Sequence, residues 1–277
     1  MNLKDNVVVV TGAGSGMGRA YAKVYAEAGA RLALNDYDAG SLAETVALHG
    51  SADTISAAFD VGDRAAMFGF AEQVLQAFGR VDIVINNAGV MGGFKPIWEL
   101  TPSDFERTLR INLNGVIHGT QAFLPAMLKA QSGQIVNVSS IFGLVGAPNH
   151  GDYSASKFGV RGFTEALMTE LQETGVTAHL VHPGGIATNI AMVDGEELAF
   201  GKHYLTTTAD DIAYHVRAKL AKGSAKIVYG KDSLMTWLGS NVVPVKWLAK
   251  LIWHDIKPVL DPAPYAKVAM PGKKRHS

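Results

Sequence analysis

The chain has 277 residues, 48% of them hydrophobic, enough to bury a substantial core as one domain. Its 25 basic and 25 acidic residues balance, so it offers no global field for nucleic acid or an acidic membrane. The absence of cysteine excludes disulfides, cysteine nucleophiles and cysteine–zinc sites, and no apolar run approaches the roughly 18 to 20 residues that span a bilayer. The first strand follows Met1 within a few residues, leaving no room for a cleaved signal peptide, so a cytoplasmic location is expected.

The run Val7-Val8-Val9-Val10 is β-branched throughout, which suits a strand buried on both faces of a parallel sheet. It leads into Thr11-Gly12-Ala13-Gly14-Ser15-Gly16-Met17-Gly18 and then into a plausible helix from Arg19 to Ala26. Strand, glycine turn, helix is the context in which such a segment means dinucleotide binding. The glycines allow a tight turn and let backbone N–H groups approach a pyrophosphate, whose charge the helix N-terminus favours. A second strand near 31–35 ends at Asp36, whose carboxylate can accept hydrogen bonds from ribose hydroxyls and repel a 2′-phosphate. Neither Ser15 nor Tyr37 is basic, so NAD is expected over NADP. Alternatively Asp36 caps the helix that starts near Ala39, a role Asp38 could fill as well.

Further strands are expected near 54–58, 81–86, 133–138, 176–182 and 226–229, with helices between them, the longest near 102–130 and 152–173. Seven strands alternating with helices predict an α/β fold, a parallel sheet covered on both faces. Ligands then gather at the carboxyl ends of the strands, where Gly12, Asp36, Asn87, Ser140 and Pro183 fall. Tyr153 and Lys157 stand four residues apart, on one face of the helix near 152–173. A tyrosine is a poor acid or base near neutral pH, and a lysine one turn away favours its phenolate.

Taken together, these elements resemble the short-chain dehydrogenase/reductase family. The family's Thr-Gly-x-x-x-Gly-x-Gly is met by Thr11, Gly12, Gly16 and Gly18; its Asn-Asn-Ala-Gly by Asn86, Asn87, Ala88 and Gly89; and its Asn-x-x-Gly by Asn112 to Gly115. Ser140, thirteen residues before Tyr153, has the spacing of the family's catalytic serine and is preferred to Ser139. Pro183-Gly184 matches the element after the sixth strand, with Thr188 where a residue often contacts the nicotinamide amide, and Asp60-Val61 falls where the adenine is usually flanked. The likeness spans about residues 5 to 232 and implies a doubly wound Rossmann domain over 1–232, with 233–277 a C-terminal helical extension and tail. It also implies that the nucleotide is held by Gly12, Ser15, Gly16, Met17, Gly18, Asp36, Asp60, Val61, Asn87, Ala88, Gly89, Tyr153, Lys157, Pro183, Gly184, Ile186 and Thr188.

The resemblance assigns roles as well. Tyr153 would exchange a proton with the substrate oxygen, and Ser140 would hydrogen-bond that oxygen. Lys157 would lower the tyrosine pKa and hold the nicotinamide ribose, and Asn112 would hold a water linking Lys157 to solvent. Ser140 capping a turn, and Asn112 capping a helix or pairing with backbone, are the plain alternatives. His150 either lines the substrate pocket or sits in an exposed loop, and no metal pair is expected from His179 and His182, which face opposite sides of a strand. Phe94, Phe142, His150, Ile190 and Met192 are the substrate-side candidates, and their apolar character suits a small hydrophobic ketone or secondary alcohol with some bulk.

In the extension, Lys246, Lys250 and Lys257 can share one helical face, and Trp237, Trp247 and Trp253 cluster nearby. A subunit contact, a pocket lid or a helix on a membrane surface would each explain them, and packing on the body or on a partner subunit is the expectation. The family's habit of forming dimers and tetramers makes a homo-oligomer, such as a homotetramer, the expectation, with Ala155, Gly159 and Phe163 as a self-contact. An NADP-preferring carbonyl reductase is the alternative within the family. A nucleotide-sensing protein without chemistry, and an epimerase or dehydratase, are the competing readings outside it; the Tyr153 set and the Gly12, Gly16, Gly18 spacing speak against them.

Overall fold

The computed structural model describes residues 3–188, 190, 192–193, 196–197 and 199–268. Val7 to Val10 form most of β1 (Val7–Thr11), and each of the four is fully buried. Alternate side chains serve opposite faces of the sheet. Val8 and Val10 pack with Tyr21 and Tyr25 of α1 (Gly16–Glu27), whereas Val7 and Val9 join the cluster on the other face. That is why this strand is apolar without a break.

The chain continues through β2 (Arg31–Asp36), α2 (Ala39–His49), β3 (Ile55–Ala58), α3 (Arg64–Phe78) and β4 (Ile83–Asn86). Next come α4 (Pro102–Leu109), α5 (Gly115–Ala130), β5 (Gly133–Val138), α6 (Gly151–Glu170) and β6 (Val176–Pro183). A two-stranded antiparallel ribbon, β7 (Met192–Val193) with β8 (Glu196–Glu197), precedes α7 (Ala199–Tyr204), α8 (Ala209–Leu220) and β9 (Lys226–Tyr229). The helices α9 (Ser233–Val242), α10 (Val245–Ile256) and α11 (Ala263–Val268) complete the described part. The main sheet is parallel throughout, in the order β3-β2-β1-β4-β5-β6-β9. Strand order reverses between β1 and β4, which opens a crevice above their carboxyl ends. Helices cover both faces, the doubly wound Rossmann arrangement.

The single helix expected near 102–130 is interrupted. Thr101 and Asp104 close a capping box at the start of α4, and a π-helical turn, Arg110–Asn114, separates α4 from α5. Such a turn inserts an extra residue into the helical ladder and often marks a functional site. Here it buries Asn112 completely.

The helical part of the extension is packed on the body. Ile256 and Leu260 are buried in one cluster with Phe142, Tyr153 and Phe200. The basic tail, Lys273, Lys274, Arg275, His276 and Ser277, lies outside the described residues.

Candidate active site

The crevice is a cavity of about 1090 Å³ running from the glycine turn to α10. At its first end, Gly12 and Gly16 have φ of +67° and +50°, a conformation that L side chains rarely adopt. A β-carbon on Gly18 would stand 1.8 Å from the carbonyl oxygen of Gly12, so helix and turn approach as closely as glycine allows. Side-chain caps from Asp38, Asp63, Thr101 and Thr208 open α2, α3, α4 and α8, whereas Ser15 opens α1 with no side-chain hydrogen bond. The N–H groups of this turn therefore suit an anionic group. Arg19 braces the turn from behind through the Gly14 carbonyl, Thr45 and Glu44, a role the sequence reading missed; a basic residue directly after Gly18 was its only signal.

Asp38, not Asp36, caps α2, accepting from the Ser41 N–H at 2.7 Å. Asp36 accepts from the N–H groups of Gly14 at 2.8 Å and Asp38 at 2.9 Å, and its carboxylate also lines the cavity. One residue thus fixes the turn and faces the crevice. Asp60 pairs with Arg110 and accepts from the Gly62 N–H, with the buried Val61 beside it. Thr11 Oγ1 accepts from the N–H groups of Asn87 and Ala88, and Asn87 Nδ2 donates to the Thr11 carbonyl at 3.0 Å, tying β1 to the end of β4. Gly89, Met17, Pro183, Gly184 and Ile186 also line the cavity, and the Thr188 side chain lies about 3.0 Å from where a Gly16 β-carbon would be.

Tyr153 and Lys157 lie in the middle of the cavity, on α6, with the Lys157 ammonium 5.7 Å from the centre of the phenol ring. Lys157 Nζ donates to the Val138 carbonyl at 3.0 Å, and burial pulls its pKa down to about 8. Burial also raises the Tyr153 phenol above its ordinary value, and the facing Ser140 hydroxyl works against that rise. The expectation that Lys157 sets a lowered tyrosine pKa is therefore corrected for the protein alone. The lysine is itself desolvated, and burial is the stronger influence on the phenol.

Ser139 donates its hydroxyl to the Lys157 carbonyl at 2.8 Å and so belongs to the packing of α6. Ser140 is left to the cavity, although its oxygen also accepts from the Phe142 N–H at 3.1 Å, capping the turn Ile141–Gly143. His182 fixes the same residue from beneath, Nδ1 against the Ser140 carbonyl at 2.7 Å. Asn112 Oδ1 accepts from the Val90 N–H at 2.7 Å while its Nδ2 donates to the Val90 carbonyl and to Ser156, so the backbone pairing is real. A β-carbon on Gly89 would lie 3.2 Å from Asn112 Oδ1 and 3.4 Å from Lys157 Nζ, so these two polar atoms flank one small space. Asp152 is a positioning residue without a sequence signal beyond its place in the first turn of α6. Its carboxylate accepts from Tyr153 N–H, Thr108 Oγ1 and Gly93 N–H at 2.8 to 2.9 Å.

The far wall is aromatic. His150 is fully buried, with its ring centre 5.1 Å from Phe94, 4.8 Å from Phe142 and 4.9 Å from Phe200, so the exposed-loop reading fails. Its Nδ1 faces the Pro148 carbonyl at 2.8 Å and therefore carries the hydrogen. Burial lowers its pKa to about 4, and Nε2 has no hydrogen-bond partner among the described residues. Ile190, with Leu248, Ile252 and Ile256 of α10, completes the wall. The Met192 side chain lies outside the described residues.

Residues 6–199 match the family described as short chain dehydrogenase. The chain is 38% identical over 245 residues to a putative oxidoreductase, SadH, of Mycobacterium tuberculosis, covering 84% of this chain and 88% of that one. It is 42% identical over 176 residues to the 2-dehydro-3-deoxy-L-rhamnonate dehydrogenase (NAD(+)) of a Sphingomonas species, covering 63% of this chain and 70% of that one. A crystal structure of a short-chain dehydrogenase/reductase from Burkholderia phymatum in complex with NAD superimposes with a TM-score of 0.78 at 30% identity, over 95% of this chain and 99% of that one. This chain belongs to the short-chain dehydrogenase/reductase family of nicotinamide-nucleotide oxidoreductases.

Proposed function

We propose that the protein interconverts a bulky, hydrophobic secondary alcohol and its ketone, prefers NAD, and uses Tyr153 as general acid and base. The observation that carries this reading is that Tyr153 and Ser140 stand in one cavity between the glycine turn and the aromatic wall of Phe94, Phe142 and Phe200. The glycine turn, Asp36, Asn87 and the residues from Pro183 to Thr188 would hold the nucleotide, which supplies or accepts the hydride when bound. Tyr153 Oη donates a proton to the carbonyl oxygen during reduction and recovers it during oxidation. Ser140 Oγ hydrogen-bonds the same oxygen and stabilises the charge that develops there. Lys157 Nζ, its pKa drawn to about 8, can hold the ribose and pass a proton toward the space it shares with Asn112 Oδ1.

The Asp36 carboxylate supports NAD, because a 2′-phosphate would meet like charge there. Arg19, behind the glycine turn, is occupied by the Gly14 carbonyl, Thr45 and Glu44. The Sphingomonas relative named for NAD(+) and the NAD-bound Burkholderia structure support the same choice. The aromatic wall, together with Leu248 and Ile252, supports the apolar substrate class.

The test is absorbance of the reduced nicotinamide, with purified protein, either nucleotide and a panel of hydrophobic secondary alcohols and ketones. Turnover that prefers NAD and collapses in Tyr153→Phe is expected. Preference for NADP would overturn the cofactor assignment, and tight nucleotide binding without turnover on any carbonyl would favour a sensor.

A further inference from the structure

The C-terminal helices have two unlike faces. Toward the body, Leu248, Ile252 and Ile256 of α10 form part of the cavity wall. Away from it, Leu234, Met235, Leu238 and Val242 of α9 fall within an arc of about 100° on their helix. They are exposed at 58%, 73%, 44% and 77%. On the side of α10 turned from Ile252 and Ile256, Trp247 and Leu251 are each exposed at 60%. Large apolar side chains gathered in so short a stretch normally have something to cover them.

The charge around this face identifies what covers it. Lys246 and Lys250 fall on one side of α10, beside Trp247 and Leu251, and Lys257 follows directly in the turn Lys257–Val259. The Lys250 ammonium lies 4.8 Å over the Trp247 ring, and that of Lys257 is 5.9 Å from the Trp253 ring. Asp255 is the one acidic residue between 233 and 260, and it accepts a hydrogen bond from the Tyr204 hydroxyl at 3.1 Å. Asp232 and Asp261 flank this stretch, so the positive charge is local to the lysine side of α10 rather than spread over both helices.

We propose that α9 and α10 dock on an anionic phospholipid bilayer, with their exposed apolar residues in the interface and the lysines at headgroup phosphates. Tryptophan and lysine side chains are suited to that depth, each with an apolar body and a polar tip. No described helix is long and apolar enough to cross a membrane, so the contact is peripheral. A second copy suits the face less well. Burying it against another protein surface would desolvate Lys246 and Lys250, and Asp255, the acidic residue of this helix, is already engaged by Tyr204. Because α10 also forms the cavity wall, an apolar substrate dissolved in the bilayer would lie next to the site; that corollary rests on the substrate reading above, whereas the docking does not.

The test is co-sedimentation of the full-length protein with vesicles of phosphatidylglycerol and phosphatidylcholine, beside pure phosphatidylcholine, at moderate salt. Partition to the anionic vesicles alone is expected, weakening as salt rises, with a blue shift of tryptophan emission. Trp247→Glu with Leu251→Glu should cut the partition coefficient roughly tenfold or more. Lys246→Ala with Lys250→Ala should cut it roughly fivefold per charge while keeping the apolar residues and a folded circular dichroism spectrum. No partition of the native protein, or partition unchanged in both variants, overturns the proposal. So does a smaller oligomer in Trp247→Glu/Leu251→Glu with native lipid binding, which would assign the face to a second copy. Failure of the oxidoreductase reading would appear separately, in the nicotinamide assay.

Discussion

The two ends of the cavity are built by different physics. At the glycine-turn end, proposed above for the nucleotide, backbone groups are held by short polar contacts between segments close to the first four strands: Asp36 on Gly14 N–H, Asn87 on the Thr11 carbonyl, Arg19 on the Gly14 carbonyl. At the aromatic end, proposed above for the substrate, apolar and aromatic side chains from remote segments meet with few hydrogen bonds, and His150 Nε2 has no partner among the described residues. A site that reads a fixed ligand can be made of directional bonds. A site that reads a particular hydrophobe is set by shape, which many sequences can supply.

The contrast breaks most sharply at the junction of the two ends. Tyr153→Phe should lower turnover by about 10³-fold while nucleotide affinity changes by less than about threefold, read by steady-state kinetics and a binding titration. A matching loss of nucleotide affinity would make Tyr153 a part of the nucleotide end alone. Next comes Gly18→Ala, whose β-carbon would collide with the Gly12 carbonyl. It should destabilise the fold by about 2–3 kcal/mol and weaken nucleotide binding, seen in denaturant unfolding with and without nucleotide. An unperturbed variant would mean the turn is not rigid.

Lys157→Met sharpens the contrast through pH. Burial holds the Lys157 pKa near 8, below its ordinary value of 10.5, so between those values the unfolded chain binds the extra proton. The burial penalty is therefore complete below pH 8 and fades toward pH 10.5. The variant should be about 2 kcal/mol more stable than the native protein at pH 7, the gain shrinking by pH 10, with activity lost. Asp36→Ala should move the NAD-to-NADP ratio of kcat/KM by roughly tenfold toward NADP without altering ketone preference.

The smallest effect belongs to His150. Burial keeps it neutral with a pKa of about 4, and His182 likewise, so the unfolded chain gains protons first as pH falls below 6.5. Stability should drop between pH 6.5 and 4, and His150→Phe should lessen that drop by about 1 kcal/mol at pH 5. An unchanged acid limb would place His150 in contact with water.

The strand, turn and helix at the glycine-turn end could be read from the chain because their requirements are local. A buried strand needs an unbroken apolar run, a close turn needs glycines at fixed offsets, and both stand within residues 7–18. Tyr153 and Lys157 were readable for the same reason, since helical periodicity alone puts them on one face. The preference for Ser140 over Ser139 rested on spacing, and the structure adds that the Ser139 hydroxyl is engaged by the Lys157 carbonyl. Tertiary structure decided the rest. Burial, a property of the assembled core, pushed the Tyr153 phenol up and Lys157 down. The π-helical turn that buries Asn112 depends on packing against the Val90 loop. The aromatic wall joins Phe94, His150, Phe200 and α10 across more than 150 residues of chain, a distance at which apolar contacts leave no periodic trace in sequence.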